Sequence, residues 1–533
     1  MNNIIVYDTT LRDGSQAEGV FFSLQDKIDI ALRLDDLGVD YVEGGYPGSN
    51  PKDRDFFQKI AAHELSHARI VAFGSTRRAD RKAEDDQGLL ALLDAGTKVA
   101  TIVAKGWDLH VKDVLRVPLE TNLEMVSDSV KFLKSHGKEV FVDIEHFFDG
   151  YKSDARYALK VLKTAASSGA DGVVLCDTNG GSLPSGIFEA VRKARRQVKV
   201  PLGIHAHNDC DMAVANTLAA VDAGVTHVQG TINGFGERCG NADLCSIISN
   251  LALKKGLGCL DQDKLKKLTE VSRYVNEVAN LAPRSNQPFV GASAFAHKGG
   301  MHVDAIKKNR STYEHISPEA VGNESRILIS ELSGNATLLA KTSRHDITGD
   351  KALMRKILRQ VQDRENKGYH YESAEASFEI LVQKTLGKHK RFFDLVGYRA
   401  IVERHDGLPV TEATIKINVN GVEELTASEG DGPVNALDAA LRKALEKFYP
   451  NIKDMRLVDF KVRVIDPKDG TAAKVRVIIQ SQDHQDIWGT VGVSGNIIEA
   501  SWEALVDSIE YKLLKDEERA AQSKATAAKE GQQ

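Results

Sequence analysis

Eight short apolar runs, each followed by a helix-like segment, divide the first 255 residues into strand–helix units, and that count limits the fold more than any other feature. The runs fall at 4–7, 40–44, 69–74, 98–104, 139–144, 172–176, 201–206 and 226–230. Between them the apolar residues recur at i, i+3 and i+4, as in 24–37 (Leu24, Ile28, Ala31, Leu32, Leu34, Leu37) and 211–223. Gly38, Gly96, Gly137, Gly169 and Gly224 stand where such helices should stop. Six units would suggest an open doubly wound sheet; eight predict a parallel sheet closed into a (β/α)₈ TIM barrel over 1–260.

Beyond residue 260 the pattern changes. Residues 261–390 read as a mostly helical linker region interrupted by an irregular stretch, 283–325, rich in Gly, Ser, Asn and His. Residues 391–513 carry a weak internal repeat. The period-two runs 412–419 and 472–479 are each followed by a helix-like run, 434–447 and 497–513, which predicts a separate C-terminal α+β domain. The tail, 514–533, lacks an apolar stripe and is expected to be disordered.

Composition excludes several classes of function. The 533 residues are 42% hydrophobic and 27% charged with a net charge of −5 and no basic block, which argues against nucleic acid or an anionic membrane as the main partner. No apolar run approaches the length of a membrane helix, and no signal-peptide pattern precedes the first strand. Five cysteines (Cys176, Cys210, Cys239, Cys245, Cys259) without a C-x-x-C pair are expected to be reduced thiols, consistent with a cytoplasmic protein. Cys176 reads as core, and Cys239 is the one thiol placed to be reactive.

In a barrel of this kind the reactive side chains collect where the strands end. Polar and ionisable residues stand at those positions: Arg12 and Asp13 follow the first strand, the second ends at Glu43, the fifth at Asp143 and Glu145, and the sixth at Asp177 and Thr178. His205-Ala-His207-Asn208-Asp209 ends the seventh, and Gly236-Glu237-Arg238-Cys239-Gly240-Asn241 follows the eighth. His205 and His207 are two residues apart, so on a strand they face one side and can share a metal ion. Asp13 is the expected carboxylate ligand and Asn241 a weaker fourth; zinc or another transition metal suits the set, and Mg²⁺ with added waters is conceivable. Arg12 suits a developing enolate or alkoxide, its alternative being a salt bridge between barrel loops. For Glu237 and Arg238 a buried structural pair is as good a reading as a chemical one. The run His297-Lys-Gly-Gly-Met-His302 reads either as a mobile proton-transfer segment or as a surface loop.

Arg12-Asp13-Gly14-Ser15-Gln16, the His205–Asp209 run and Gly230–Asn241 together resemble the superfamily of α-isopropylmalate synthase, homocitrate synthase and HMG-CoA lyase across the whole barrel. The histidine segment and the C-terminal repeat extend the resemblance to the synthase branch, whose members end in an effector-binding (LeuA-type) regulatory domain. Glu43–Lys52 and Glu145–Tyr151 are similar to the citramalate-forming members. The resemblance implies condensation of acetyl-CoA with pyruvate and hydrolysis of the thioester, giving (R)-citramalate and CoA in isoleucine biosynthesis. It implies a divalent metal (Zn, Mn, Mg or Co) on Asp13, His205 and His207 with Asn241 nearby, Arg12 on the developing alkoxide, and Thr178 on the substrate carboxylate. It further implies Glu145 in positioning and proton transfer, and His302 and Tyr313 reaching the site of a partner subunit. A homodimer inhibited by isoleucine, or second by leucine, completes the implied picture, with Gly430–Pro433 facing the effector carboxylate.

One departure from the superfamily pattern is Asp211, where Gly is usual. The alternatives at this point are the same chemistry on a larger 2-oxo acid (2-isopropylmalate or homocitrate synthesis), the reverse cleavage, and a non-catalytic amino-acid-sensing scaffold.

Overall fold

In the computed structural model the described residues are 4–530 apart from 298–299, 328–350, 372, 406–407, 466–469, 471 and 485. Eight parallel strands close into a barrel in sequence order: β1 (Ile5–Asp8), β2 (Tyr41–Gly45), β3 (Arg69–Ser75), β4 (Val99–Lys105), β5 (Glu139–Glu145), β6 (Gly172–Asp177), β7 (Leu202–Ala206) and β8 (His227–Gly230). Helices α1 (Leu24–Leu37), α2 (Pro51–Ile60), α3 (Gln87–Asp94), α4 (Leu119–Ser135), α5 (Phe147–Ser167), α6 (Pro184–Arg195), α7 (Ala213–Asp222) and α8 (Leu244–Leu253) follow them in turn.

The sequence sets these elements locally. Ser23 and Asp26 form a reciprocal capping box at the start of α1, and Gly38 ends it in the left-handed region at φ 92°. Strand residues such as Val42, Ala100, Val142, Val173, Ile204 and Val228 are fully shielded and join the helix stripes in one core. Inside the barrel, Tyr7, Tyr41, Val71, Val99 and Phe141 form a separate apolar layer. His227 stacks within it, 5.2 Å from Tyr7 and 5.0 Å from Phe141 between ring centres, and burial lowers its pKa to about 3. This plug fills the barrel below the rim, which leaves the strand ends as the place for a cavity.

The chain divides into two compact units, residues 1–295 with 314–325, and 296–313 with 326–533. The second unit repeats one arrangement twice. Antiparallel strands Asp394–His405, Leu408–Val419 and Val422–Gly430 precede the helix Pro433–Leu445. Strands Arg456–Val464, Val475–Gln482 and Ile487–Ser494 precede the helix Ile497–Glu530. Ala413, Ile415 and Ile417 alternate inward and share a core with Leu437, Ala440 and Leu441 of the first helix. Val477 and Ile479 do the same with Ala504 and Leu505 of the second. The period-two repeat predicted from 412–419 and 472–479 is therefore real.

The expected disorder of 514–533 is not what the structure shows over 514–530. The last helix runs unbroken to Glu530, and residues 531–533 lie outside the described part. An Ala-, Lys-, Glu- and Gln-rich stretch without Gly or Pro continues a helix that is already nucleated, even without an apolar stripe. Arg519 ties it back to Asp483 and Asp486.

Candidate active site

At the rim, Asp8 ends β1 and its carboxylate accepts from the backbone N–H and the hydroxyl of Thr10, both at 2.8 Å. The same hydroxyl oxygen accepts from Ile232 N at 2.8 Å, and Thr9 N donates to Gly230 O at 2.8 Å, so the loop after β1 is tied to the loop after β8. That bracing fixes Arg12 and Asp13. The Arg12 Nε donates to Glu43 and its Nη1 to Asp13. Burial works against the Arg12 charge, but Asp13 and Glu43 more than offset it and raise its pKa. Glu43 is fully buried, and burial first, then Asp13, pushes its carboxyl above the usual range; the Tyr7 hydroxyl donates to it at 2.5 Å.

Asp13 uses one oxygen on Arg12. Its other oxygen, Oδ2, has no hydrogen-bond partner and lies 3.4 Å from His205 Nε2. Burial opposes ionisation of Asp13, yet the adjacent Arg12 guanidinium holds its pKa below the ordinary value, and the two imidazoles add to this only when protonated. His205 and His207 are both buried, with ring centres 5.2 Å apart, and burial pulls His207 down to about 3. His207 Nδ1 and both amide atoms of Asn241 are buried and unpartnered. Among the described residues no three His, Cys, Asp or Glu side chains stand close enough to form a finished ion cage. The donor set nevertheless fits a divalent ion: an ionised carboxylate with a bare oxygen, a neutral imidazole, and a second imidazole facing that oxygen.

A cavity of about 230 Å³ opens on these groups and is also lined by Phe73, Asp143, Glu145, Cys176 and Thr178. Asp143 is 3% exposed, and burial followed by Glu43 pushes its carboxyl well above the usual range. Glu145, the last residue of β5, is paired with Lys105 of β4 and has His110 Nδ1 at 3.9 Å. The Thr178 hydroxyl oxygen accepts from His146 N at 2.8 Å, so its own proton is free to donate.

Other expectations change in detail. Glu237 and Arg238 are half-exposed and 3.8 Å apart, so they are not a buried pair. Arg238 instead forks onto both carboxylate oxygens of Asp209, at 2.8 and 3.0 Å, and the carbonyl of Thr178 at 2.7 Å. Asn241 is bridged to His207 through the backbone, but the residue lines a separate cavity of about 520 Å³ with Asn233, Cys239 and Gln287. Cys239 thus faces that second cavity. Cys176, read as core, is buried as expected and also walls the smaller cavity; burial raises its thiol pKa well above the ordinary value. Asp211 takes the left-handed conformation at φ 57°, which Asp tolerates better than most residues, so the usual glycine is not required. The helix predicted from 211 accordingly begins at Ala213. Gly240, at φ 88°, could not carry a side chain, because a Cβ there would lie 2.1 Å from Gly234 O.

His302 and Tyr313 belong to the second unit, where their rings stack at 4.0 Å and both are exposed; residues 298–299 of the histidine segment lie outside the described part. Sequence reasoning passed over Gln229, Phe73 and Lys105. Gln229 shares a period-two face with His227, which is the one signal that could have pointed to it.

Comparison with known proteins gives three consecutive family matches. Residues 3–275 match the HMGL-like family model, 289–368 the homocitrate synthase post-HMGL domain-like model, and 372–513 the LeuA allosteric (dimerisation) domain. An (R)-citramalate synthase of Geobacter sulfurreducens is 54% identical over 522 residues, covering 97% of this chain and 99% of that protein. One from Aquifex aeolicus is 54% identical over 520 residues, covering 97% and 98%. A 2-isopropylmalate synthase of Methanocaldococcus jannaschii is 30% identical over 520 residues, covering 97% and 96%.

Proposed function

Because the chain belongs to the HMGL-like family and, within it, to the (R)-citramalate synthases, we propose that its barrel joins acetyl-CoA to pyruvate and releases (R)-citramalate and CoA. The observation that carries the site assignment is the meeting of Arg12, Asp13, His205 and His207 at one small cavity.

The Lewis acidity that draws electrons from the pyruvate keto group would be supplied by a divalent ion (Zn, Mn, Mg or Co) held by Asp13, His205 and His207, with Asn241 beside His207. Arg12, clamped by two carboxylates, presents a fixed cation to the oxygen that gains negative charge as the carbon–carbon bond forms. Thr178 donates its free hydroxyl proton to the substrate carboxylate. Glu145, kept in place by Lys105, takes part in moving the acetyl methyl proton. His302 and Tyr313 form the second acid–base pair, offered to the site of a partner subunit as the superfamily resemblance implies. Water then cleaves the thioester, which makes the condensation irreversible.

The preference for pyruvate over branched or dicarboxylic 2-oxo acids rests on the relatives, because a methylene or two is worth only about 1–3 kcal/mol and a few cavity residues could switch it. In the C-terminal domain we assign isoleucine as the effector, its carboxylate facing the backbone of the Gly430–Pro433 turn ahead of the helix Pro433–Leu445. Free-thiol release from acetyl-CoA across a panel of 2-oxo acids, with and without chelator, tests the whole reading. Pyruvate is expected to be preferred and chelation to stop the reaction. Preference for 2-oxoisovalerate, or full activity after exhaustive metal removal, would overturn it.

A further inference from the structure

Resting on the metal reading above, we propose that Gln229 is the positioning residue that holds His205 in the tautomer able to bind an ion. The strand register places His205 of β7 directly opposite Gln229 of β8. His205 Nδ1 lies 2.8 Å from Gln229 Oε1, and Gln229 Nε2 donates to Asp143 Oδ1 at 3.2 Å. All three residues are buried, Gln229 completely.

A primary amide has one donating and one accepting end. With the NH₂ turned to Asp143 Oδ1, which accepts whether that carboxyl is ionised or carries its proton on the other oxygen, the end that faces His205 is the carbonyl, which can only accept. A neutral imidazole carries one N–H, so that proton must sit on Nδ1, and Nε2 keeps its lone pair. Nε2 is the nitrogen that faces the unpartnered Oδ2 of Asp13 across 3.4 Å. The relay Asp143–Gln229–His205 therefore does what an outer hydrogen-bond partner does for a ligating histidine: it selects the tautomer and fixes the ring plane before any ion arrives. A purely structural buried Gln would be replaced by an apolar side chain of similar volume without changing which nitrogen carries the proton.

The test uses the full-length chain. In the metal-free protein with ¹⁵N-labelled histidine, the His205 ring signals, assigned by their loss in His205→Gln, should report the Nδ1–H tautomer. Gln229→Leu should lose that preference and bind Mn²⁺, titrated alone, about 10–100-fold more weakly. Gln229→Glu keeps an acceptor and should retain both the tautomer and an affinity within a few-fold of the parent. An Nε2–H tautomer in the parent protein, or a folded Gln229→Leu chain with unchanged tautomer and Mn²⁺ affinity, would overturn the proposal. Should Gln229→Leu fail to fold, loss of the Nδ1–H tautomer or of Mn²⁺ affinity in Gln229→Glu would do the same. Failure of the parent chain to bind any divalent ion would instead remove the metal reading, and the tautomer measurement would still decide the role of Gln229.

Discussion

The guanidinium carbon of Arg12 lies 3.9 Å from the centre of the Phe73 ring, so the rim cation is held face-on by an aromatic side chain as well as edge-on by Glu43 and Asp13. A lysine could keep the charge but neither the planar fork nor the stacking. Arg12→Lys is therefore expected to lower kcat by about 10²–10³-fold with a smaller change in KM. Phe73→Leu, which leaves both ion pairs in place, should cost only about 1 kcal/mol of that stabilisation. Steady-state rates of thiol release at saturating acetyl-CoA measure both, and an Arg12→Lys enzyme with near-parental kcat would contradict the assigned role.

Arg238 joins two loops of the rim through Asp209 and the Thr178 carbonyl, while its own side chain is 43% exposed. An exposed fork of this kind contributes little to folding, roughly 0–1 kcal/mol. It does fix the backbone of the residue assigned to the substrate carboxylate. Arg238→Ala should raise KM for pyruvate several-fold, with the melting temperature nearly unchanged and kcat reduced less than kcat/KM. Equal losses in kcat and kcat/KM would place Arg238 in the chemical step.

Asp507, in the last helix, is 7% exposed, and burial raises its pKa from 3.8 to about 6. Lys384 at 3.5 Å and Ser377 oppose that rise, and Glu510 and Glu503 add to it. Between pH 4 and 6 the folded chain therefore holds a proton that the unfolded chain has released. The stability this provides is complete below about pH 4 and is lost as pH rises through about 6, a difference of about 3 kcal/mol. Asp507→Asn should remove this slope. Urea unfolding followed by Trp488 and Trp502 in a Trp107→Phe background reads it, and parallel pH profiles for parent and variant would refute the assignment.

The legibility of this chain follows from what burial does to sequence. Parallel strands covered on both faces leave continuous apolar runs, so Val99–Lys105 and Gly172–Asp177 could be placed without a partner. Arg12, Asp13, His205 and His207 could be gathered at one rim from sequence because charged and imidazole side chains at the ends of buried strands stand out against their apolar neighbours. Gln229 and Phe73 could not, since an uncharged side chain inside a strand looks like core until its hydrogen bond or stacking partner is known. Asn241, expected as a weaker metal ligand, pairs with His207 through the backbone and lines the other cavity, which no pattern in a glycine-rich loop reveals. The helix through 514–530 was missed because a helix that extends an existing one needs no apolar periodicity of its own.

The second unit carries a match to a dimerisation domain, and its sheets show where such a contact could form. Phe460, Val462 and Val464 of the strand Arg456–Val464 are exposed, at 36%, 42% and 48%. Neighbouring apolar side chains of that size left open on a strand that, among the described residues, pairs on one side only are costly in water and prone to pairing with another chain. Burying them against a second copy satisfies both demands. If the chain pairs through this strand, the double variant Phe460→Asp/Val462→Asp should sediment as a monomer at micromolar concentration where the parent sediments as a dimer. Circular dichroism should remain that of the parent, because neither side chain contributes to a buried core. If His302 and Tyr313 act on a partner's site, the same variant should lose most of its thiol-release activity while still binding Mn²⁺ with parental affinity. A fully active monomer would show that each barrel completes its own site.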